Sequence, residues 1–328
     1  MLALLIAGVL VAEPVTVPLP GGEGGIGFDD LLYSTPLRRF IVPGGRIGRV
    51  FLLDPATRRL EAVGALSKLP SWSGGHGQSA TSADARGDTV FAGDRTARRL
   101  VAIPLGGAGT AAEAALESGP DYVRWVETTS EVWVTEPDAA AIEIFRFDPR
   151  ANPALVRAGR IAIPDGPESL VIDAAHGRAF TSTWHDRTLA IGLRERAVVG
   201  QWSNGCKDAR GLAADPARGL LFVGCAEGRA TVIDTSGKGR LVGQATTGAG
   251  VDIIAYQAST RRLYVPAGKG ATLEAFEVAT DGALRPLWRT AAPQEAHCVA
   301  VDDAGHVLVC DPRGGRLLLY ADGPDRPR

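Results

Sequence analysis

Lysine and asparagine are scarce: the chain has only Lys68, Lys207, Lys238 and Lys269, and only Asn152 and Asn204. Nearly every basic residue is therefore an arginine. With alanine and glycine abundant, this is the residue usage of a GC-rich bacterial genome and not the footprint of a nucleic-acid site. The formal net charge is −2, so no field of one sign steers the chain towards nucleic acid or acidic membranes. Several signatures are missing. There is no GxSxG elbow, no P-loop, no HExxH, and neither CxxC nor CxxCH, which removes the common hydrolase, nucleotide, zincin and haem readings. GGEGGIG (21–27) has no βαβ context and reads as a loop before a strand. Long apolar runs are also missing, apart from residues 2–12. That run is too short to cross a bilayer and breaks at Glu13-Pro14. It fits the apolar core of a secretory signal although a basic leader is lacking, and its alternative is a buried first strand. The expectation is a signal peptide over 1–12, a single domain over 13–328, no membrane span once the signal is removed, and a periplasmic or secreted location.

What is present is a chain of 328 residues, 45% of them hydrophobic, with 41 glycines and 21 prolines scattered along it, the composition of many short elements and turns. Internal similarity organises them. Residues 251–278, VDIIAYQASTRRLYVPAGKGATLEAFEV, match residues 28–53, FDDLLYSTPLRRFIVPGGRIGRVFLL, in the order apolar strand, polar turn, second strand, Gly-rich loop, third strand. A fourth strand follows, as at 60–66 and 240–244. The second strands recur seven times: FIVP (40–43), TVFA (89–92), VWVT (132–135), AFTS (179–182), LFVG (221–224), LYVP (263–266) and VLVC (307–310). Alternation without helical periodicity makes the fold all-β. Seven units of four strands predict a seven-bladed β-propeller of antiparallel blades. Only eight residues follow the third strand of the last unit at 316–320, so that blade lacks its outer strand. Residues 15–19 resemble the missing strand and are expected to close the ring.

These repeats resemble the YVTN-type β-propeller family over essentially the whole chain from Pro14, most closely in CKDARGLAADPARGLLFVGCAEGRATVIDT, which begins at Cys206. The resemblance implies a propeller that is commonly exported, and it carries no reaction with it.

The first strands of a propeller line its channel, and the residues that open them meet at the funnel mouth. In ring order these are Asp29, Ser79, Asp121, Glu168, Arg210, Asp252 and His297, spaced by 42 to 50 residues. Four carboxylates around one axis attract a cation or raise one another's pKa. His297, between Asp252 and Asp29, has the surroundings of a general base. The plainer reading is structural: each acid caps its own loop, and Glu168, Arg210 and Asp252 form an ion-pair cluster. The loop Trp184-His185-Asp186 adds an aromatic platform and a second candidate base, His185, and His76 in the long approach to the second blade can also reach the funnel. His176 and His306 fall in turns on the opposite face. Asp84, Asp173, Asp215 and Asp302 end their first strands and read as turn formers.

In the last hairpin, pairing 301 with 307 sets Cys298 opposite Cys310, while Cys206 and Cys225 both lie on the funnel face of the fifth unit. Two disulfides, 206–225 and 298–310, suit an oxidising compartment; the alternative is a Cys/His metal site.

Two function classes remain. The first is an exported, monomeric binding or scaffold module, without a cofactor, whose funnel face takes a protein, peptide or small-molecule ligand. The second is a hydrolase or lyase of the propeller lactonase type, in which Asp29, Asp121, Glu168 and Asp252 hold Ca²⁺ or Zn²⁺ and His297 or His185 acts as base. Arg210 in the ring and the lack of a ring asparagine weigh against the second. The acidic ring argues against single-stranded nucleic acid.

Overall fold

The computed structural model describes residues 13–107 and 111–321. The expected signal segment, 1–12, lies outside the described residues. Seven four-stranded antiparallel sheets stand around one axis. From the axis outward, blade 1 runs Leu32–Ser34, Arg39–Pro43, Val50–Leu53 and Leu60–Val63, and blade 5 runs Ala209–Asp215, Leu220–Cys225, Arg229–Asp234 and Arg240–Thr246. All seven second strands fall where the sequence places them. Each is a short run of apolar residues in alternation, buried on both faces because a neighbouring blade covers each face.

The core therefore lies between blades. In the second strand of blade 1, Phe40 and Val42 face one interface, whereas Ile41 packs with Val90, Ala92 and Val101 of blade 2 on the other. Six of the seven second strands carry a fully buried aromatic: Phe40, Phe91, Trp133, Phe180, Phe222 and Tyr264. A chain with only 6% aromatics has concentrated them where the wedge between blades needs volume.

The last blade is built from Val299–Val301, His306–Asp311 and Arg316–Ala321, and its outer strand is Val15–Pro18. Val15 pairs with Leu319 and Val17 with Leu317, so the start of the described chain closes the ring. In the same blade Val301 pairs with Val307, which sets Cys298 beside Cys310, and a disulfide joins them. The second disulfide links Cys206 and Cys225, and no cysteine is free. The alternative of a Cys/His metal site is thereby overturned, because every thiol is consumed.

The turn acids behave as expected in three blades. Asp173 accepts from the amide of His176, Asp215 from that of Arg218, and Asp302 from those of Ala304 and His306. The two histidines on that face pair with these acids, His176 with Asp173 at 3.0 Å and His306 with Asp302 at 2.6 Å. Asp84 departs from the pattern. The inner strand of blade 2, Ala80–Arg86, runs two residues past it, and its carboxylate accepts the amide of Trp125 in blade 3 at 2.8 Å. It is an inter-blade tie, and burial pushes its pKa up.

Closure makes a direct prediction. Val17 is 5% exposed against Leu317, so Val17→Asp buries a charge without a partner and should cost about 3 kcal/mol. Chemical denaturation, with hydrogen exchange at residues 316–319 as the local readout, checks it. Unchanged stability and exchange would show that this strand does not close the ring.

Candidate functional site

In five of the seven blades the inner strand begins later than the sequence suggests, whereas Ala80–Arg86 and Ala209–Asp215 begin where expected. Asp29 precedes Leu32–Ser34, Asp121 precedes Val123–Val126, Glu168 precedes Val171–Asp173, Asp252 precedes Ala255–Gln257 and His297 precedes Val299–Val301. The reason is geometric. Where the blades converge, some inner segments bond to the next blade: Asp30 N–H to Thr81 O at 3.1 Å, Gly211 N–H to Asp252 O at 3.0 Å, and Ile253 N–H to His297 O at 3.0 Å. Others keep one bond to their own blade, Asp121 N–H to Thr135 O at 2.9 Å and Glu168 N–H to Ser182 O at 2.8 Å.

An axial cavity of about 170 Å³ is lined by Asp29, Asp121, Glu168, Arg210 and Asp252, with His76 and Trp184 at its wall. Of the candidates, Ser79, His185 and His297 do not line it, and His297 lies in the neighbouring groove instead. Ser79 takes a left-handed φ of 57°; its carbonyl accepts the Arg95 amide at 2.8 Å, and its hydroxyl is buried. His185 is exposed in its loop, and the neighbouring Asp186 caps the next loop by accepting the amides of Asn204 and Gly205.

The acids do not form one equivalent ring. Asp121 pairs with Arg95 at 2.9 Å, and Glu168 pairs with Arg210 at 2.9 Å and also accepts the Trp184 indole N–H. Arg210 reaches Asp208 as well, at 3.0 Å. Asp29 lies 2.8 Å from His76 Nδ1. His297 has Nδ1 at 2.5 Å from Glu295 O and Nε2 at 3.0 Å from Phe28 O, and its ring is 5.4 Å from that of His76.

His76 reaches the axis because of the glycines at 21–27. A side chain at Gly25 would collide with the Trp72 ring at 2.2 Å, and one at Gly27 would meet Gly75 O at 2.3 Å. Arg46 clamps this turn by donating to the carbonyls of Gly21, Glu23 and Gly25. Trp72 Nε1 donates to Gly75 O at 2.7 Å and shapes the approach. The Gly-rich segment is a bed for that loop.

Burial and mutual repulsion set the protonation of the group. Burial works to raise Asp29, but the His76 imidazolium, with His297 and Arg95 behind it, brings it below its ordinary value. His76 is raised to about 10 by the Asp29 carboxylate, against its own burial. Burial, then the Asp29 charge, pushes Asp121 up to about 7, with Arg95 and His76 opposing. Burial with Asp121 and Asp252 holds Glu168 well above the carboxylate range despite Arg210. Asp252 is raised by burial against the pull of His297 and His76.

Below the axial cavity Tyr122 separates it from a second cavity of about 490 Å³ at the opposite mouth. There Arg124, 9% exposed, makes a two-pronged ion pair with Asp30 at 2.5 and 2.9 Å, and Ser82 donates to the same carboxylate at 2.6 Å. This buried link joins blades 1, 2 and 3, and the sequence reading missed it. Two signals pointed to it: a lone arginine in the apolar run YVRWV (122–126), and the doublet Asp29-Asp30, whose members face opposite ways in extended chain.

No family model and no curated protein matches the chain. Solved structures do match. A chain of the Mitotic Checkpoint Complex superposes with a TM-score of 0.77 at 11% identity, over 97% of this chain and 94% of that one. Hydrazine synthase of Kuenenia stuttgartiensis gives 0.73 at 11% identity, over 92% and 97%. The Cps50 (Swd1) β-propeller domain of Myceliophteria thermophila gives 0.74 at 12% identity, over 95% and 99%. At these identities the likeness is one of fold.

The raised Asp121 pKa has a definite pH signature. Folding favours its protonated form, so its stabilising contribution is complete below the ordinary carboxylate value and is lost as pH rises through about 7. Asp121→Asn should therefore gain Tm relative to the parent protein as pH goes from about 4 to about 8. A Tm difference independent of pH in scanning calorimetry would contradict this.

Proposed function

We propose that the chain is an exported propeller of the YVTN type that acts as a binding module through its funnel face, with a short peptide as its ligand. One observation carries this reading: a groove of about 480 Å³ beside the axial cavity, sharing His76, Arg210 and Asp252 with it. Trp72 gives the groove an aromatic wall, Arg210 and Lys269 supply positive charge, and Asp208 and Glu295 supply negative charge. An aromatic surface with both signs of charge close by suits a ligand with an amino and a carboxylate end joined by an amide backbone. Export is supported by the two disulfides, which belong to oxidising compartments. Among the described residues no helix is long and apolar enough to cross a membrane. Propellers of this architecture also serve inside assemblies, as the Mitotic Checkpoint Complex match illustrates.

The alternative, metal-assisted hydrolysis or elimination on Asp29, Asp121, Glu168 and Asp252, has less support. Arg95 and Arg210 already occupy two of those acids. Neither His185 nor His297 lines the cavity formed by those acids.

Thermal-shift titration with pooled di- and tripeptides tests the reading. The expected outcome is a saturable rise in Tm for a peptide class, abolished in a Trp72→Ala, Lys269→Glu double variant. No shift with any pool, or a shift that survives the double variant, would overturn it.

A further inference from the structure

We propose that His76, His297 and Asp252 form a binding site for a divalent transition-metal ion of the zinc class at the floor of the funnel, with Asp29 orienting His76. The site goes beyond the peptide-binding reading and stands without it.

Ligand atoms of His76, Asp252 and His297 all lie within 4.8 Å of one another. Bonds from zinc to imidazole nitrogen or carboxylate oxygen are about 2.0–2.2 Å, so two ligands of one ion sit roughly 3 to 4 Å apart. Small side-chain adjustments close that gap, and His76 comes from a loop outside the blades.

Asp29 supplies an independent observation. It is 3% exposed, and its Oδ2 is 2.8 Å from His76 Nδ1 as an ion pair. A carboxylate on one imidazole nitrogen fixes the ring and leaves the other, Nε2, to bind an ion, so Asp29 orients a ligand without being one.

The surroundings supply the support that metal-binding histidines use. His297 Nδ1 faces Glu295 O at 2.5 Å, which fixes a proton on that nitrogen and presents Nε2 as the ligand. Nε2 also lies 3.0 Å from Phe28 O, so the ring turns away from that carbonyl when it binds an ion. Asp121 and Glu168 stay outside the set because Arg95 and Arg210 hold them.

The donor set chooses the ion. Two imidazoles with one carboxylate suit zinc and its transition-metal neighbours, whereas Ca²⁺ and Mg²⁺ take oxygen ligands. His76, Asp252 and His297 also line the open groove, so the bound ion keeps a face towards solvent.

The test uses the full chain, stripped with a chelator and dialysed. Calorimetric titration with Zn²⁺ should show one site with a dissociation constant below about 1 μM and a matching rise in Tm. Co²⁺ should give visible absorption bands of four- or five-coordinate nitrogen and oxygen ligation. His76→Ala, which removes a loop side chain and should leave the fold intact, and Asp252→Asn should each weaken zinc binding by about a hundred-fold. His185→Ala, an exposed histidine outside the cluster, should leave it unchanged. Absence of a zinc site in the parent protein, binding that survives His76→Ala, or equal affinity for Ca²⁺ would each overturn the proposal.

Discussion

Closing seven sheets into one ring is the constraint on which everything else rests. Pairing of Val15–Pro18 with the last blade completes that sheet to four strands with residues from both ends of the described chain, which ties the circle shut. Convergence then denies the innermost segments a full ladder with their own sheets. Some bond across to the next blade, as Gly211 does to Asp252 and Ile253 to His297, while Asp121 and Glu168 keep a bond to the second strand of their own blade. Side chains far apart in sequence arrive together because the inner segments of all seven blades meet at one axis.

The same convergence concentrates charge in a place with little water, and each buried acid has to be settled locally. The structure does so at two levels, with Tyr122 between them. Below, Arg124 and Asp30 form a pair whose partners are 94 residues apart, with Ser82 satisfying a remaining lone pair. A buried pair of this kind adds little net stability, but it is costly to break, so it fixes which blades are neighbours. Above, Arg95 settles Asp121 and Arg210 settles Glu168, each reaching in from an adjacent blade. Asp29 and Asp252 are left to the histidines. An acid ring that looks uniform in sequence order is thus divided by function: two acids hold arginines in place, and two face the imidazoles at the foot of the groove.

Much of the fold was legible because it is written in local alternation. The second strands, the closing strand and the register of the last hairpin follow from residues within a few positions of one another, and the disulfide between Cys298 and Cys310 follows from that register. The site was legible only as a set of residues near an axis. The sequence could not show that His76 leaves its loop to meet Asp29, because that depends on Trp72 lying against Gly25. Nor could it separate Asp84, which ties to blade 3, from Asp173 and Asp215, which cap their own turns, since all three follow the same kind of apolar run and only the structure shows the strand of Asp84 continuing to Arg86. In each case the deciding contact crosses between blades, and no spacing rule within one repeat reports it.

The central claim is that ring closure and the 67–78 approach bring His76 onto the Asp29 carboxylate as a lasting ion pair. Nitrogen-detected magnetic resonance of the five histidines in chelator-treated protein, followed from about pH 6 upward, measures this directly. The account predicts one imidazole that keeps both protons until about pH 10, assigned to His76 by its loss in His76→Gln. A His76 that titrates near its ordinary value of 6.5 would contradict it.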